Sequence, residues 1–172
     1  MKMKSIVILG VVAAVAAILV LAGCSGGGSG NGGGATSGPV KQTVITPTVS
    51  GDTVSIPASV ITTKRNVDFK VTFDEGTANY AAYTLNNAIQ VRASFCVPCR
   101  GTSFTLSGNN LICDNCGTVF SAQTGKGISG VPACQGYPKA AVPFTTDASG
   151  NVTMLKADLL KAFEDTLVPG LP

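Results

Sequence analysis

The chain has 172 residues, with 12 Lys and Arg, 9 Asp and Glu, no histidine and a formal net charge of +3. The missing imidazole excludes histidine-based acid–base and nucleophilic chemistry, and leaves any soft-metal site to be built from sulfur. Two of the positive charges, Lys2 and Lys4, belong to an N-terminal leader; without them ten basic side chains face nine acidic ones, which gives no electrostatic case for nucleic-acid binding.

The leader reads as an export signal. Lys2 and Lys4 form its positive start, and residues 5–20 are an apolar run of Ile, Val, Ala and Leu with one Gly. It ends in Leu21-Ala22-Gly23-Cys24, which matches the lipobox of bacterial lipoprotein signals. In such signals the chain is cut before the cysteine, so residues 1–23 are expected to leave and Cys24 to carry palmitate-type acyl lipid. An uncleaved transmembrane anchor is the alternative, for which the apolar run is of borderline length. Both readings place the domain outside the cytoplasm on the cell membrane or outer membrane. Ser25 after the cysteine favours the outer membrane if the envelope has one.

Residues 25–38 hold eight Gly among Ser, Asn, Ala and Thr. They have nothing to bury and form, with the lipidated Cys24, a flexible tether of roughly 20 Å r.m.s. span. Residues 39–172 suit one domain.

Within that domain, residues 42–61 are rich in Thr, Val, Ser and Ile and read as strands. In residues 66–73, Val67, Phe69, Val71 and Phe73 alternate with Asp68, Lys70 and Thr72, the period of a half-buried strand. Glu75-Gly76 reads as a turn, residues 80–85 as a strand, Asn86-Asn87 as a tight turn, and residues 88–95 as a strand entering the first cysteine pair. Short strands are predicted at 102–106, at 111–112 and at 119–120. A hairpin is predicted from 143–146 and 152–155 around Asp147-Ala148-Ser149-Gly150-Asn151. The one helical pattern is residues 156–167, with Leu159, Leu160, Phe163 and Leu167 expected on its buried face.

The chemistry lies in two matched pairs, Cys96-Val97-Pro98-Cys99 and Cys113-Asp114-Asn115-Cys116, with thirteen residues between them. Two facing CxxC knuckles make a tetrathiolate site for zinc or an iron–sulfur cluster. Glycine follows each pair, as Cys99-Arg100-Gly101 and Cys116-Gly117, and allows the backbone to approach the metal closely. Amides near Gly101, Thr102, Gly117 and Thr118, with the two Thr hydroxyls, are expected to support the sulfurs. Two disulfides are the structural alternative, although five cysteines besides Cys24 is an odd number for a disulfide framework. A thioredoxin-type motif fits poorly, since a strand rather than a helix follows Cys99. Cys134 is left as a further ligand, a disulfide partner or a free thiol.

Cys96-Val-Pro-Cys99-Arg-Gly-Thr, Cys113-Asp-Asn-Cys116-Gly-Thr-Val-Phe, the Thr124-Gly125 turn and Gly130-Val-Pro-Ala133 resemble the cluster-binding loops of Rieske proteins, with cysteine where each of those loops has histidine. This all-cysteine variant, with a Gly/Cys/Pro stretch at 130–138 and a terminal helix, resembles the FtrD-like membrane iron–sulfur protein family over residues 50–165. The resemblance implies a mostly β domain: a small Rieske-like β-sandwich or meander with two CxxC-tipped loops and a C-terminal helix. It implies one-electron transfer through an iron–sulfur cluster, of the [2Fe–2S] type, held by Cys96, Cys99, Cys113 and Cys116, with a role at the site for Cys134. Four thiolates predict a low potential, nearer the about −400 mV of plant-type ferredoxins than the about −150 to +300 mV of Rieske centres. The protein is expected to be a carrier rather than an enzyme, held to a membrane through Cys24. Its redox partner would be a permease or a cytochrome, in iron uptake or respiration. The rival reading is a structural or metal-handling four-cysteine module that binds zinc or another ion.

Overall fold

The computed structural model describes residues 38–171. The expected signal, the lipidated Cys24 and the tether up to residue 37 lie outside the described residues.

The domain is mostly β, with twelve strands and three helices among the described residues. Three four-stranded sheets hold the strands. The first joins β1 (Thr43–Val44), β4 (Asn66–Phe73), β5 (Gly76–Leu85) and β6 (Ala88–Ala93), in that order. The second runs β11 (Thr145–Thr146), β12 (Asn151–Leu155), β3 (Thr53–Pro57), β2 (Thr48–Ser50). The third, which carries the second cysteine pair, runs β10 (Gly127–Ser129), β9 (Val119–Ser121), β8 (Asn110–Cys113), β7 (Phe104–Ser107). The pairing is antiparallel except between β1 and β4.

The long hairpin β4–β5–β6 forms because its alternation is unbroken and its second turn is two residues long. Asn86 and Asn87 have φ of 50° and 63°. That left-handed pair matches strand twist, and Asn tolerates it at low cost. β5 is buried on both faces. Ala78, Tyr80 and Ala82 enter the larger core with Val54, Ile56, Phe69, Met154 and Leu159. Ala81, Tyr83 and Leu85 point the other way, into a second core with Phe104, Leu106, Leu111, Phe120 and the cysteines. One strand therefore serves as the wall between the structural core and the sulfur core.

The predicted helix is α3, Lys156–Leu167, with the predicted ends. Its buried face is rotated from the expectation: Leu159, Ala162 and Thr166 are buried, whereas Leu160 and Phe163 are half-buried and Leu167 is 40% exposed. The reason is polar. The buried Thr166 hydroxyl accepts the Ala140 amide at 3.0 Å, which fixes that edge of the helix inward. Two further helices depart from the single predicted one. α1 (Ala58–Lys64) lies in the stretch read as strand and is rich in β-branched residues. Its Ile61 is fully buried, so tertiary packing overrides local propensity there. α2 (Pro132–Gln135) is a single turn too short to show periodicity. None of the described helices is long and apolar enough to cross a membrane.

The three layers are tied by buried polar groups. Asn66 Nδ2 donates to Val40 O at 2.8 Å and to Phe104 O at 2.9 Å, which joins β4 to the cysteine sheet. Tyr80 Oη donates to Leu159 O at 2.8 Å, which joins β5 to α3. Tyr80→Phe removes that tie while the carbonyl keeps its partner within the helix, and is expected to cost about 0.5–1.5 kcal/mol in urea unfolding without changing the slope of the transition.

Candidate metal centre

Five cysteines converge at one end of the cysteine sheet, and each is a free thiol. The first pair lies between β6 and β7, where the Cys96 amide donates to Gly101 O at 2.7 Å and closes a tight loop. The second pair tips the β8–β9 hairpin, where the Gly117 amide donates to Cys113 O at 2.8 Å and Gly117 has φ of 72°. Cys134 arrives on α2, so three separate segments meet.

The Sγ atoms of Cys96, Cys99, Cys116 and Cys134 all lie within 4.8 Å of one another. Cys113 lies outside that mutual set, with its Sγ 3.7 Å from that of Cys99. Cys116 and Cys134 are 3.8 Å apart. The mutually close set therefore holds three of the four CxxC sulfurs with Cys134, which sequence spacing left open, in the place expected for Cys113; Cys113 touches the set through Cys99. Cys96, Cys113 and Cys134 are buried; Cys99 and Cys116 are half-buried and form the outward edge of the cluster.

Close approach depends on Gly101. A Cβ built there falls 2.8 Å from Cys113 Sγ and 2.9 Å from Asn115 Cβ, so no larger residue fits between the knuckles. Across the same gap Asn115 Nδ2 donates to Cys99 O at 2.7 Å. Asp114 is exposed but not idle: it accepts the hydroxyls of Ser103 at 2.5 Å and Thr105 at 2.6 Å and locks the hairpin to β7.

Thr118 organises the far side. It is fully buried, and its Oγ1 accepts the Cys116 thiol at 3.1 Å and the Val131 amide at 3.2 Å. Gly130, with φ of 99°, lies so close that its Cβ would sit 2.7 Å from Thr118 Cα. One hydroxyl therefore links the second knuckle to the segment that presents Cys134.

The electrostatics divide the thiols, lowering Cys113 and Cys116 and raising Cys96 and Cys99. The Cys113 thiol is held down to about 5, first by the hydrogen bond from Cys96 and, against burial, by the amides of Cys116 and Asn115. Its partner Cys96 is pushed up, first by that bond and then by burial. At Cys116 burial opposes ionisation, but the hydroxyl and amide of Thr118 outweigh it and lower the thiol. Burial raises Cys99, against the amide of Gly101. Oriented amides and one low-lying thiol suit deprotonated sulfur rather than a set of resting thiols.

Sequence reasoning missed Lys139. It is 1% exposed, its Nζ donates to Phe95 O at 2.7 Å and Tyr137 O at 2.6 Å, and it lies 4.4 Å from the centre of the Phe120 ring. Burial lowers it to about 8, against the pull of Cys96, Cys113, Cys134 and Cys99. The one available signal was a lysine inside the otherwise uncharged run Gly136-Tyr-Pro-Lys139-Ala-Ala-Val-Pro143.

Five unoxidised thiols, amides aimed at sulfur and a buried ammonium define a thiolate metal centre, and the donor set fits an iron–sulfur cluster or a sulfur-bound ion. The chain belongs to the family described as membrane iron-sulfur containing protein FtrD-like, which matches residues 67–165, a span that holds all five cysteines. No curated protein matches the chain. Among solved structures, a chain from the complex of reduced oxygenase and oxidized ferredoxin in carbazole 1,9a-dioxygenase is similar at a TM-score of 0.43 and 21% identity, over 52% of this chain and 80% of that one. The ferredoxin of Sphingomonas yanoikuyae B1 is similar at a TM-score of 0.40 and 22% identity, over 50% and 83% of the two chains.

Two substitutions probe the geometry. Gly101→Ala is expected to wedge the knuckles apart, costing about 1–3 kcal/mol by overpacking and reducing bound metal per chain by elemental analysis. Thr118→Val keeps the shape but removes the hydroxyl, and is expected to weaken metal retention about 10–100-fold in a chelator competition.

Proposed function

We propose that this chain is an iron–sulfur electron carrier, anchored by lipid on Cys24 to the outer face of a membrane. The observation that supports this most is the convergence of five free thiols from three segments, in a member of an iron–sulfur family. Cys96, Cys99, Cys113 and Cys116 would hold the cluster, with Cys134 close enough to replace one of them. A [2Fe–2S] centre would supply reversible one-electron chemistry.

The residues around the site do the rest. Burial of Cys96, Cys113 and Cys134 keeps water from three of the sulfurs, and the amides of Gly101, Asn115, Cys116 and Thr118 offset charge at Cys99, Cys113 and Cys116. The amides stabilise deprotonated sulfur against the cost of burying it. The half-buried Cys99 and Cys116 form the edge through which an electron would pass to a permease or cytochrome. A carrier needs no acid–base machinery, and no histidine exists to supply it. Service in iron uptake or respiration follows from such a partner at the membrane.

One observation favours a second reading. Four thiolates around one zinc lie about 3.8 Å apart, from Zn–S bonds of about 2.3 Å. Four sulfurs within 4.8 Å of one another come near that packing, which suits a structural or metal-handling zinc module.

The full chain, extracted in detergent without oxygen, separates the two. The carrier predicts iron and acid-labile sulfide, a brown colour, an EPR signal on dithionite reduction and loss of that signal in Cys96→Ser or Cys113→Ser. A colourless protein with one zinc per chain would contradict it. A Cys134→Ser variant tells whether the fifth thiol is a ligand, through a changed EPR line shape.

A further inference from the structure

Lys139 presents a charge problem that neither the fold nor the ligand set explains. Its side chain is 1% exposed. Among the described residues the salt bridge found is Lys161 with Asp165, so no carboxylate pairs with Lys139. Its Nζ has two backbone carbonyls, Phe95 O at 2.7 Å and Tyr137 O at 2.6 Å, and the faces of two aromatic rings, Phe120 at 4.4 Å and Phe104 at 5.8 Å. Carbonyls and rings offset part of the cost of burying an ammonium, but an apolar side chain of similar length would fill the space without that cost.

The backbone is also built to hold this residue. The Lys139 amide donates to Gly125 O at 2.9 Å, and its carbonyl accepts Nη1 of the buried Arg92 at 2.8 Å. Gly125 has φ of 77°, and a Cβ there would fall 2.0 Å from Lys139 O. Phe95, which takes one of the Nζ bonds, directly precedes Cys96. Phe104, under the ammonium, pairs in register with Cys113. The charge is therefore held beside the segments that carry Cys96 and Cys113, near where negative charge appears when the thiols ionise.

We propose that Lys139 is the built-in counter-charge of the thiolate centre: it stabilises the loaded site over the empty one and favours the reduced form over the oxidised one. It is a positioning residue and not a ligand. The redox half rests on the iron–sulfur reading, whereas the loading half holds for any metal bound by these thiolates. Reduction adds one electron from an external one-electron donor to the centre; no bond or proton at Lys139 changes, and a fixed positive charge lowers the cost of that added negative charge.

The test uses the full chain with Lys139→Met, Lys139→Gln and Lys139→Arg, metal-free and loaded. In metal-free protein, where no metal-bound thiolate centre needs a counter-charge, Lys139→Met is expected to melt at or above the wild-type temperature. In loaded protein it is expected to lose metal to a chelator at least tenfold faster. Dithionite titration of the iron-loaded forms is expected to show the reduction equilibrium constant falling at least tenfold in Lys139→Met and Lys139→Gln, or 59 mV for one electron, with Lys139→Arg near wild type. The proposal is overturned if Lys139→Met unfolds the metal-free protein, if Lys139→Gln behaves like wild type so that donation alone suffices, or if the potential is unchanged in an intact centre. If the wild type binds zinc instead, the electron-carrier reading fails, and the chelator and melting comparisons still decide the role of Lys139.

Discussion

The site depends on bringing sulfurs from three chain segments within a few ångströms of one another, and that approach is set by backbone rather than by the cysteines themselves. The gap between the knuckles is the width of Gly101, where even a methyl group would strike Cys113 Sγ and Asn115. The gap to the third segment is the width of Gly130 against Thr118. Two positions without side chains thus fix how close the thiols come. Hydrogen bonds from Asn115 and to Asp114 and Thr118 keep the segments from drifting apart.

Crowded thiols carry an electrostatic cost that the surroundings must offset. Amide groups directed at sulfur, one hydroxyl and a buried ammonium supply positive potential on several sides. The β5 wall makes this arrangement possible, because one of its faces backs the sulfur core while the other is locked into the larger core. Stability and site geometry therefore share one element.

Much of this was legible in the sequence, for identifiable reasons. The alternation of Val67, Phe69 and Val71 and the helical periodicity of residues 156–167 are local signals, and they gave β4 and α3 their ends. The paired CxxC spacing, with glycine after each pair, is likewise local and marked four of the five sulfurs. What the sequence left open is non-local. Whether Cys134 reaches the knuckles depends on Gly130 and Thr118 meeting at the open end of the β9–β10 hairpin, which no periodicity reports. α1 was misread because Ser59, Val60, Ile61 and Thr62 look like a strand until Ile61 finds its place in the core. Lys139 was missed because a lysine is ordinarily a surface residue, and only the fold shows that its surroundings are carbonyls, rings and sulfur.

The iron K-edge absorption spectrum of the full chain, prepared without oxygen, tests the central claim most directly. An iron–sulfur cluster predicts a first shell of sulfur alone and a second shell from a neighbouring iron. Sulfur with no iron neighbour would mean a single ion, and an absent iron edge beside a strong zinc edge would contradict the account altogether.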